Sequence, residues 1–583
     1  MTDLKHAPAA FYYHPDGYET NRPNLMGRHA AGESFLKAFC KNADQEKLYC
    51  YAANKSHYDH FVKKVTPVKK PNASLEWVEW RNWGKLAEPG CLFTPGPVLH
   101  ELAWQRRHGN NRAFSICGVT HTTATSRVMD SFGEYLTSPV QPWDALICTS
   151  KCVQKTVLTV LQDYAQYLQE RFNSRSPIVL PIQLPVIPLG VDFDFYDITD
   201  ERRAQLRTEW RQKMKIEDDE VAVLFFGRLA FHAKAHPMPM YIALEEAARK
   251  SGKKFNLILA GWFPSKQMQE QFISSAKLLC PSLRMTIVDG RNPEVREKVW
   301  YAADIFTSLS DNIQETFGLT PIEAMAAQLP VVVSDWNGYR ETVTDGVDGF
   351  AIRTYMPPSG LGEGLALSHA MGISNYDEYI GIQSQFTSVD VRDCADAFAK
   401  LALDESLRKQ MGTAGKEKVQ ATFDWKVIIP QYQNLWAELA KLRQSKTGRV
   451  ERKANASANP LRSDPNFLFA SYPTHTLSPG TIVSKDENCS RDRMQLMRAI
   501  PMANIASGSL LDTNELFELL DKITTNGISV DQLCSKTPAA RGRHLLLSIL
   551  WLAKMGLIHL NQSSSTESTS AESDGTQKHL IKV

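Results

Sequence analysis

Two glutamates flank a short glycine-containing turn in the middle of the chain, and they define the first candidate site. Glu315 precedes the turn and Glu323 follows it. The residues of the turn itself are Phe317, Gly318, Leu319 and Thr320. Carboxylates on the two sides of such a turn can accept hydrogen bonds from the hydroxyl groups of a sugar.

The sequence around the turn predicts a strand–helix–strand unit. Residues 301–309 run into a short apolar strand, and residues 329–334 form a β-branched run typical of a buried strand in a parallel sheet. Pro321 suits the first turn of the intervening helix, because its missing N–H is not needed there. Thr320 is a candidate cap of that helix, with Glu323 three residues later as in a capping box.

Two interpretations of the turn remain open. In the first, the turn is a well-capped helix start, and Glu315 is a surface charge. In the second, Gly318 lets a phosphorylated ligand approach the backbone, and the first N–H groups of the helix bind its anion. The strand–turn–helix context favours a binding site, since ligands of open α/β sheets lie at the carboxyl ends of the strands.

A second candidate site combines two basic residues that follow a buried strand. The apolar run 221–226 leads into Gly-Arg-Leu, with Arg228 at the strand end and Lys234 in the loop beyond it. Cations in such a position need an anionic partner or exposure to solvent. Either they bind the negative charge of a ligand, or they are two surface bases on a loop.

Glycines and a histidine near strand ends provide further candidates. Gly27 opens a predicted helix after a turn-rich segment, an arrangement that suits a loop facing phosphate. His121 follows the predicted strand 114–119, where either a ligand or a structural hydrogen bond would account for it. Gly290 and Arg291 follow a later predicted strand.

The composition indicates a globular protein with more than one domain. The chain has 583 residues, of which 43% are hydrophobic and 22% are charged. A net charge of +2 gives no global electrostatic reason to expect a nucleic-acid partner. The ten cysteines lack paired metal-ligand spacing, and no apolar run is long enough to span a bilayer. We therefore predict a cytoplasmic protein with reduced thiols, and local basic clusters leave peripheral contact with the inner face of a membrane open.

The motifs resemble those of the retaining GT-B glycosyltransferases of the E-x7-E type, also called glycosyl transferase group 1 or family 4. The spacing of Glu315 and Glu323 carries the resemblance, together with Pro-Val-Val-Val-Ser at residues 330–334 and Gly-Arg-Leu at residues 227–229. The resemblance extends over about residues 10–442.

This resemblance implies an α/β protein with the GT-B fold, in which two Rossmann-like doubly wound domains face a cleft. The alternation of predicted strands and helices also favours parallel, doubly wound domains. The C-terminal part has instead the outline of a mainly α, winged-helix-like module. The predicted segments are 1–188 for the N-terminal, acceptor-side domain, 189–422 for the nucleotide-sugar domain, 423–444 for a helix that crosses back, 445–508 for a linker, 509–560 for the module and 561–583 for a disordered tail.

The resemblance also assigns roles to the residues of the two candidate sites. It implies that Glu315 holds hydroxyls of the donor sugar and that Glu323 accepts the ribose hydroxyls. It places the turn 317–320 against the donor diphosphate, where Arg228 and Lys234 neutralise the departing nucleotide. The loop departs from the family pattern, because Ala-Lys-Ala-His-Pro replaces the usual Lys-Gly around the lysine.

The remaining candidates receive roles from the same resemblance. His121 is implied to lie near the donor sugar and diphosphate, as is the loop at Gly27. The backbone at Gly290 and Arg291 is implied to meet the nucleobase. No metal or cofactor is expected, because basic side chains and a helix N-terminus can neutralise the diphosphate and no Asp-x-Asp pair occurs in a suitable loop.

The implied activity is retaining transfer of a sugar from a nucleotide-sugar donor to an acceptor. A glycan, a lipid, a protein and a small metabolite are all open as acceptors. One alternative is a GT-B disaccharide phosphorylase, and another is a non-catalytic protein of this fold that acts through its C-terminal module. That module is a candidate for acceptor recognition, for docking of a protein partner or for self-association, and its few basic residues argue against DNA binding.

Overall fold

The computed structural model describes residues 7–20, 27–445, 452–453 and 456–562. By its contacts the chain divides into two units, Met1–Pro460 and Leu461–Val583. The first unit contains both candidate sites. No helix in the described part combines the length and the apolar character needed to cross a bilayer.

The first sheet of this unit consists of six parallel strands. They are β1 (Ala10–Tyr12), β2 (Lys47–Ala52), β3 (Ser74–Glu79), β4 (Cys91–Thr94), β5 (Ser115–Val119) and β6 (Ala145–Ile147). The helices between and after them are α1 (Gly27–Asn42), α2 (Lys55–Val65), α3 (His100–Arg106), α4 (Ser126–Thr137) and α5 (Lys151–Arg171). Every position of β4 and β5 is buried, as expected for parallel strands that helices cover on both faces.

The second sheet repeats this arrangement. Its parallel strands are β7 (Glu220–Arg228), β8 (Lys254–Trp262), β9 (Arg284–Asp289), β10 (Ile305–Ser308), β11 (Val331–Ser334) and β12 (Gly349–Ile352). Its helices are α6 (Asp200–Met214), α7 (Pro237–Ser251), α8 (Lys266–Leu279), α9 (Pro293–Lys298), α10 (Leu319–Ala326) and α11 (Tyr339–Thr342).

Both sheets have the strand order of a Rossmann fold. The first runs β3-β2-β1-β4-β5-β6, and the second runs β9-β8-β7-β10-β11-β12 when it is read in the same direction. In each sheet the order reverses between the first and the fourth strand, and ligands of such sheets bind outside the carboxyl ends at that point. The predicted α/β class with two Rossmann-like domains, the GT-B architecture, is confirmed.

An insertion follows the second sheet. It contains β13 (Thr354–Tyr355), α12 (Glu363–Ala370), α13 (Tyr376–Gln385) and β14 (Ser388–Val389). The glycine, serine and proline content of residues 354–377 predicts a long loop. This prediction is wrong, because the segment contains β13, α12 and the start of α13. Asn375 and Glu378 form a reciprocal capping box that starts α13, a short-range signal that the composition concealed.

Three helices complete the first unit, and the last of them packs against the first sheet. They are α14 (Val391–Leu403), α15 (Glu405–Lys418) and α16 (Trp425–Gln444). The indole of Trp425 donates to Ser34 Oγ on α1 at 2.8 Å. A Cβ built on Gly190 would come within 2.7 Å of the Trp425 ring. Only glycine therefore allows the segment at residue 190 and the start of α16, which both connect the two domains, to run side by side.

The second unit is a small domain with mixed structure. Its elements are α17 (Pro465–Leu468), β15 (Ile482–Lys485), α18 (Arg491–Ala499), α19 (Thr513–Lys522), β16 (Ile528–Ser529), α20 (Val530–Ser535), α21 (Gly542–Lys554) and β17 (Ile558–Asn561). The strands form an antiparallel sheet in the order β16-β15-β17. Its winged-helix-like character stays a prediction.

Part of the predicted linker 445–508 belongs to this small domain. Both β15 and α18 lie within it. The pairing of β15 with β17 joins segments that are distant in sequence, so local composition could not show it. Within the predicted tail 561–583, residues 563–583 lie outside the described residues.

A fully buried ion pair holds the first sheet to its helices, and its loss should be costly. Asp144 accepts two hydrogen bonds from Arg106, at 2.6 and 2.7 Å, and one each from the backbone N–H groups of Ile116 and Gln141. Both side chains are fully buried. We expect Asp144→Asn to lower the free energy of unfolding by about 3–5 kcal/mol, because it leaves a buried guanidinium without its charge partner.

Urea unfolding of the full chain would measure this effect. Asp219→Asn is the matched control, since it breaks an exposed ion pair with Lys254 and should change stability far less. Equal losses in the two variants would contradict the structural role given to the buried pair.

Candidate active site

The two candidate sites predicted from the sequence form one cluster at the switch point of the second sheet. Strands β7 and β10 are neighbours, and their carboxyl ends carry the Arg228 loop and the Glu315 loop. The Nζ of Lys234 lies 2.5 Å from Oε2 of Glu315. Nη2 of Arg228 donates to Oε1 of Gln314 at 3.2 Å. The structure therefore brings both cations against the glutamate loop.

The side chain of Glu315 is largely buried, and its surroundings favour the ionised form of its carboxyl. Burial alone would raise the pKa of its carboxyl, but the Lys234 ammonium and the backbone N–H groups of Thr316 and Phe317 together lower the net pKa. The backbone N–H of Thr316 also donates to the carboxylate, at 3.2 Å. Because these donors fix the Glu315 side chain, it is a rigid acceptor for further hydroxyl groups at the cleft.

The turn between the glutamates begins α10 in a way that the sequence did not reveal. Gly318 is the N-cap, with φ of 89°, and no side chain caps the helix. The predicted capping box of Thr320 and Glu323 was therefore wrong. The physical reason is that the helix begins at Leu319, so Thr320 already lies inside its first turn. The first backbone N–H groups of this helix therefore have no side-chain cap, as is typical of helix N-termini that bind anions.

The Glu323 carboxyl is left without a partner in the part of the chain that the structure describes. No hydrogen-bond donor among the described residues reaches it, and it lies partly buried on the first turns of α10. Burial raises its pKa to about 7, while Lys234 and Arg296 lower it in part. A carboxyl of this kind is half-ionised near neutral pH and gains from any ligand that donates hydroxyl hydrogen bonds.

Gly318 is required by an aromatic ring that lies beneath the turn. A Cβ built on this glycine would come within 1.8 Å of Cε1 of Tyr339 on α11. The Tyr339 ring is fully buried, and its hydroxyl is 2.9 Å from Oγ of Ser308 at the end of β10. The turn can therefore lie close to the sheet only because Gly318 has no side chain.

Arg228 is partly buried and connects the cluster to the insertion. Its Nη2 also contacts the backbone oxygen of Ala233 at 3.4 Å. Burial lowers the pKa of the guanidinium, and the negative charge of Asp377 on α13 opposes this shift. Arg228 therefore lies within the electrostatic reach of α13 as well as of the Glu315 loop.

Three glycines lie side by side at the carboxyl ends of β7, β8 and β9. Gly227 pairs with Gly261, and the N–H of Gly290 donates to the backbone oxygen of Gly261 at 3.0 Å. A Cβ on Gly261 would meet the Gly227 oxygen at 1.9 Å. Next to these three glycines, the side chain of Arg291 forms a 2.8 Å ion pair with Asp289. The predicted base contact of Gly290 and Arg291 would thus use the backbone.

The first domain contacts the glutamate loop through residues at its own strand ends. The hydroxyl of Thr316 donates to the backbone oxygen of His121 at 2.9 Å, so the backbone of His121 lies against the Glu315 loop. The role of the His121 side chain stays a prediction. Gly27 begins α1 after residues 21–26, which lie outside the described residues. The binding role of Gly27 stays a prediction.

Asn337 and Ser150 also join the two domains at this point, and the sequence analysis missed both. Nδ2 of Asn337 donates to the backbone oxygen of Glu315 at 2.7 Å. Its Oδ1 lies 3.0 Å from Oγ of Ser150, which caps α5 in the first domain. Asn337 has φ of 43°, a conformation in which asparagine is enriched. The Trp-Asn-Gly sequence was a signal for a turn, but not for a contact with Glu315.

The donor set of the cluster is basic and carboxylic, with no grouping that suits a metal ion. Within the described ranges no three His, Cys, Asp or Glu side chains converge in a metal-binding arrangement. The cluster offers two cations, a helix N-terminus and two carboxyls, of which one is paired with Lys234. Such a set can bind an anion with hydroxyl groups on either side of it.

The free carboxyl of Glu323 should cost stability at neutral pH. The pKa in the folded chain, about 7, is higher than the usual value of 4.5, so the fold favours the protonated form. The destabilisation is therefore absent below about pH 4.5, grows as pH rises, and is complete above about pH 7. We expect Glu323→Gln to raise the free energy of unfolding by about 1–3 kcal/mol at pH 8 and to change it little at pH 4.5.

Thermal unfolding of the unliganded chain at the two pH values would measure this difference. Glu297→Gln, on the nearby helix α9, is the control that should show no pH-dependent gain. The same stabilisation by Glu323→Gln at both pH values would contradict the raised pKa of Glu323.

Known proteins match the segment of the chain that carries the cluster. Residues 207–367 match the family model described as glycosyl transferases group 1. A D-inositol 3-phosphate glycosyltransferase of Nocardia farcinica is 31% identical over 173 residues, which are 29% of this chain and 36% of that protein. An uncharacterized glycosyltransferase of Methanocaldococcus jannaschii is 27% identical over 203 residues, 35% of this chain and 48% of that protein. The chain thus spans less than half the length of these two relatives.

Solved structures with a similar chain path include Anabaena HepE in complex with UDP-glucose. The similarity covers 75% of this chain and 100% of HepE, with 13% sequence identity and a TM-score of 0.47. The resemblance to group 1 glycosyl transferases is confirmed by the family match for residues 207–367, the segment that contains Arg228, Lys234, Glu315 and Glu323.

Proposed function

We propose that this protein is a retaining, metal-independent glycosyltransferase that moves a sugar from a nucleotide-sugar donor to an acceptor. The observation that carries the proposal is the convergence of Lys234 on Glu315 at the ends of two neighbouring strands. Arg228 and the uncapped start of α10 lie at the same place. A diphosphate with a sugar on one side and a ribose on the other matches this set of groups.

The basic groups act mainly on the leaving nucleotide. As the bond from the sugar to the diphosphate breaks, negative charge grows on the phosphate oxygens. Arg228, Lys234 and the N–H groups of α10 are fixed donors in a partly buried site, where they stabilise this charge without reorganising. Because these groups neutralise the diphosphate, the reaction needs no metal ion.

The two glutamates act on the hydroxyl groups of the donor. Glu323 has no protein partner within the described residues and accepts the ribose hydroxyls, which favour its ionised form. Glu315 accepts hydroxyls of the donor sugar while Lys234 and backbone N–H groups hold it in place. Its negative charge also stabilises the positive character that the sugar ring develops in the transition state.

Retention follows from attack on the same face as the departing diphosphate. Glu315 is tied to Lys234, so it is a poor covalent nucleophile. The leaving phosphate then takes the proton of the acceptor hydroxyl as the new glycosidic bond forms. Contacts between the domains, such as that of Thr316 with the His121 backbone, exclude water and limit hydrolysis of the donor.

A disaccharide phosphorylase is the second candidate function. The same cations and helix N-terminus would hold inorganic phosphate as well as a nucleotide diphosphate. Such an enzyme needs no ribose ligand, so a free carboxyl at Glu323 favours the transferase. A cytoplasmic location, a role of the small C-terminal domain in docking or self-association, and the identity of the acceptor are also proposals.

Release of nucleoside diphosphate tests the transferase proposal. Full-length protein would be incubated with UDP-glucose, GDP-mannose or ADP-glucose and a pool of saccharide, lipid and peptide acceptors. We expect release from one donor series, lost in Arg228→Ala and retained in Arg249→Ala, whose guanidinium is bound to Glu246 on the surface. Cleavage of disaccharides that requires phosphate and no nucleotide would instead establish the phosphorylase, and no turnover of either kind would contradict both.

A further inference from the structure

A cavity of about 870 Å³ lies between the insertion and the loop that joins β7 to α7. This volume is within the range of small-molecule sites, roughly 300–1,000 Å³. Its walls include Phe231 and His232 from the loop and Tyr376, Asp377, Gln385 and Phe386 from α13 and its end. The cavity is separate from the cluster of Lys234 and Glu315, and no role assigned above uses it.

The cavity borders the proposed donor site. Phe231 and His232 lie in the chain between Arg228 and Lys234, so one loop lines both places. Asp377 is close enough to Arg228 to oppose the effect of burial on the pKa of the guanidinium. A ligand in the cavity would therefore lie next to the proposed diphosphate site.

The first domain also reaches this region. Ala124 packs in one small cluster with Ala230 and Ala233 of the β7–α7 loop and with Ile380 of α13. The hydroxyl of Ser126 is 3.1 Å from Nε2 of His369 on α12. The β7–α7 loop and α13, which line the cavity, therefore also contact the loop that follows His121 in the first domain.

The chemistry of the walls fits a saccharide. Three aromatic rings, of Phe231, Tyr376 and Phe386, offer flat apolar surfaces, and the C–H face of a pyranose packs against such rings. Asp377 and Gln385 supply planar polar groups that accept or donate to hydroxyls. Purely apolar ligands would make no use of these polar groups.

The walls are also fixed before a ligand binds. The capping box of Asn375 and Glu378 sets the start of α13, with hydrogen bonds of 2.9 and 3.0 Å. Gly381 allows α13 to pack against His232, because a Cβ there would come within 2.9 Å of the histidine Cβ. A preformed site loses less entropy on binding than a flexible one.

We propose that this cavity binds a saccharide unit of the acceptor, which adds a glycan subsite on the second domain. The proposal rests on the proposed glycosyltransferase function, and it selects a glycan among the acceptor classes that the sequence left open. The aromatic rings orient the sugar, and Asp377 and Gln385 form hydrogen bonds with its hydroxyls. The attacking hydroxyl would then come from the next unit of the glycan toward the donor.

Saturation-transfer difference NMR on the full-length chain tests the subsite. The probes are maltose, cellobiose, mannobiose and chitobiose. We expect a signal from at least one of them, and about a tenfold rise in its Kd in Phe386→Ser and in Asp377→Asn. Both side chains are well exposed, at 63% for Phe386 and 66% for Asp377, so neither change should impair folding. Ile373→Ser is the matched control on the same insertion, 70% exposed and away from the cavity walls, and it should bind like the wild type.

Several results would overturn the subsite. They are no signal from any disaccharide with the wild type, unchanged Kd values in both variants, and co-sedimentation with phosphatidylcholine vesicles that only Phe386→Ser abolishes. Thermal shifts with nucleotide sugars should stay unchanged in Phe386→Ser and Ile373→Ser. Disaccharide binding with the expected pattern, but without any nucleotide-sugar response in the wild type, supports the saccharide site and contradicts only the transferase function.

Discussion

Replacing Lys234 with alanine should lower kcat/KM for sugar transfer by about 10²–10³-fold, the effect expected when one fixed donor to a developing negative charge is lost. Lys234 is the closest cation to Glu315, at 2.5 Å. Its removal also leaves that carboxylate buried without its charge partner. We therefore expect the free energy of unfolding to fall by about 1–3 kcal/mol, less than for a fully buried pair because the lysine is partly exposed.

A double variant separates the two roles of Lys234. In Lys234→Ala with Glu315→Gln, no unpaired charge remains, so stability should return close to that of the wild type while transfer stays lost. Lys213→Ala is the matched control, because Lys213 forms a 2.9 Å ion pair with Glu294 that is exposed on the surface of the same domain. Recovery of transfer together with stability in the double variant would mean that Lys234 serves the fold and not the reaction.

Replacing Gly318 with alanine should be the most destabilising change at the turn. The new Cβ would overlap the buried Tyr339 ring, with only 1.8 Å to its Cε1, and φ of 89° disfavours any side chain. The steric overlap and the backbone conformation together should cost about 3–5 kcal/mol. Because relief of the overlap moves the start of α10, donor binding should also be lost.

Gly346 offers a control that isolates the overlap. It too has a positive φ, of 76°, but a Cβ built on it meets nothing within 4 Å. Gly346→Ala should therefore cost only about 1 kcal/mol and leave transfer intact. Chemical unfolding and donor titration of both variants would measure the difference. Similar losses in the two would show that backbone conformation, not Tyr339, restricts this position.

The local parts of the fold and site followed from the sequence. A short apolar run predicted β10, a β-branched run predicted β11, and the Gly-Arg-Leu turn placed Arg228 at the end of β7. The approach of Lys234 to Glu315 depended on the strand order, which puts β7 beside β10. The sequence indicated each group separately, and the resemblance implied that they act together.

The features that sequence reasoning missed depend on contacts between distant segments. The start of α10 is set by the ring of Tyr339, which comes later in the chain, so a local capping rule misplaced it. Asn337 contacts Glu315 and Ser150 only after both domains have folded. The insertion was obscured by its glycine and serine content, although the capping box of α13 was present in the sequence.

The thermal shift of the full-length protein with UDP-, GDP- and ADP-sugars, measured beside Arg228→Ala, tests the central claim most directly. A donor at 100 times its Kd should stabilise the wild type by about 2.7 kcal/mol. We predict that one nucleotide series gives this stabilisation and that Arg228→Ala, although folded, loses it. An equal shift in the variant, or no shift with any nucleotide sugar, would contradict a donor site built from Arg228, Lys234 and the two glutamates.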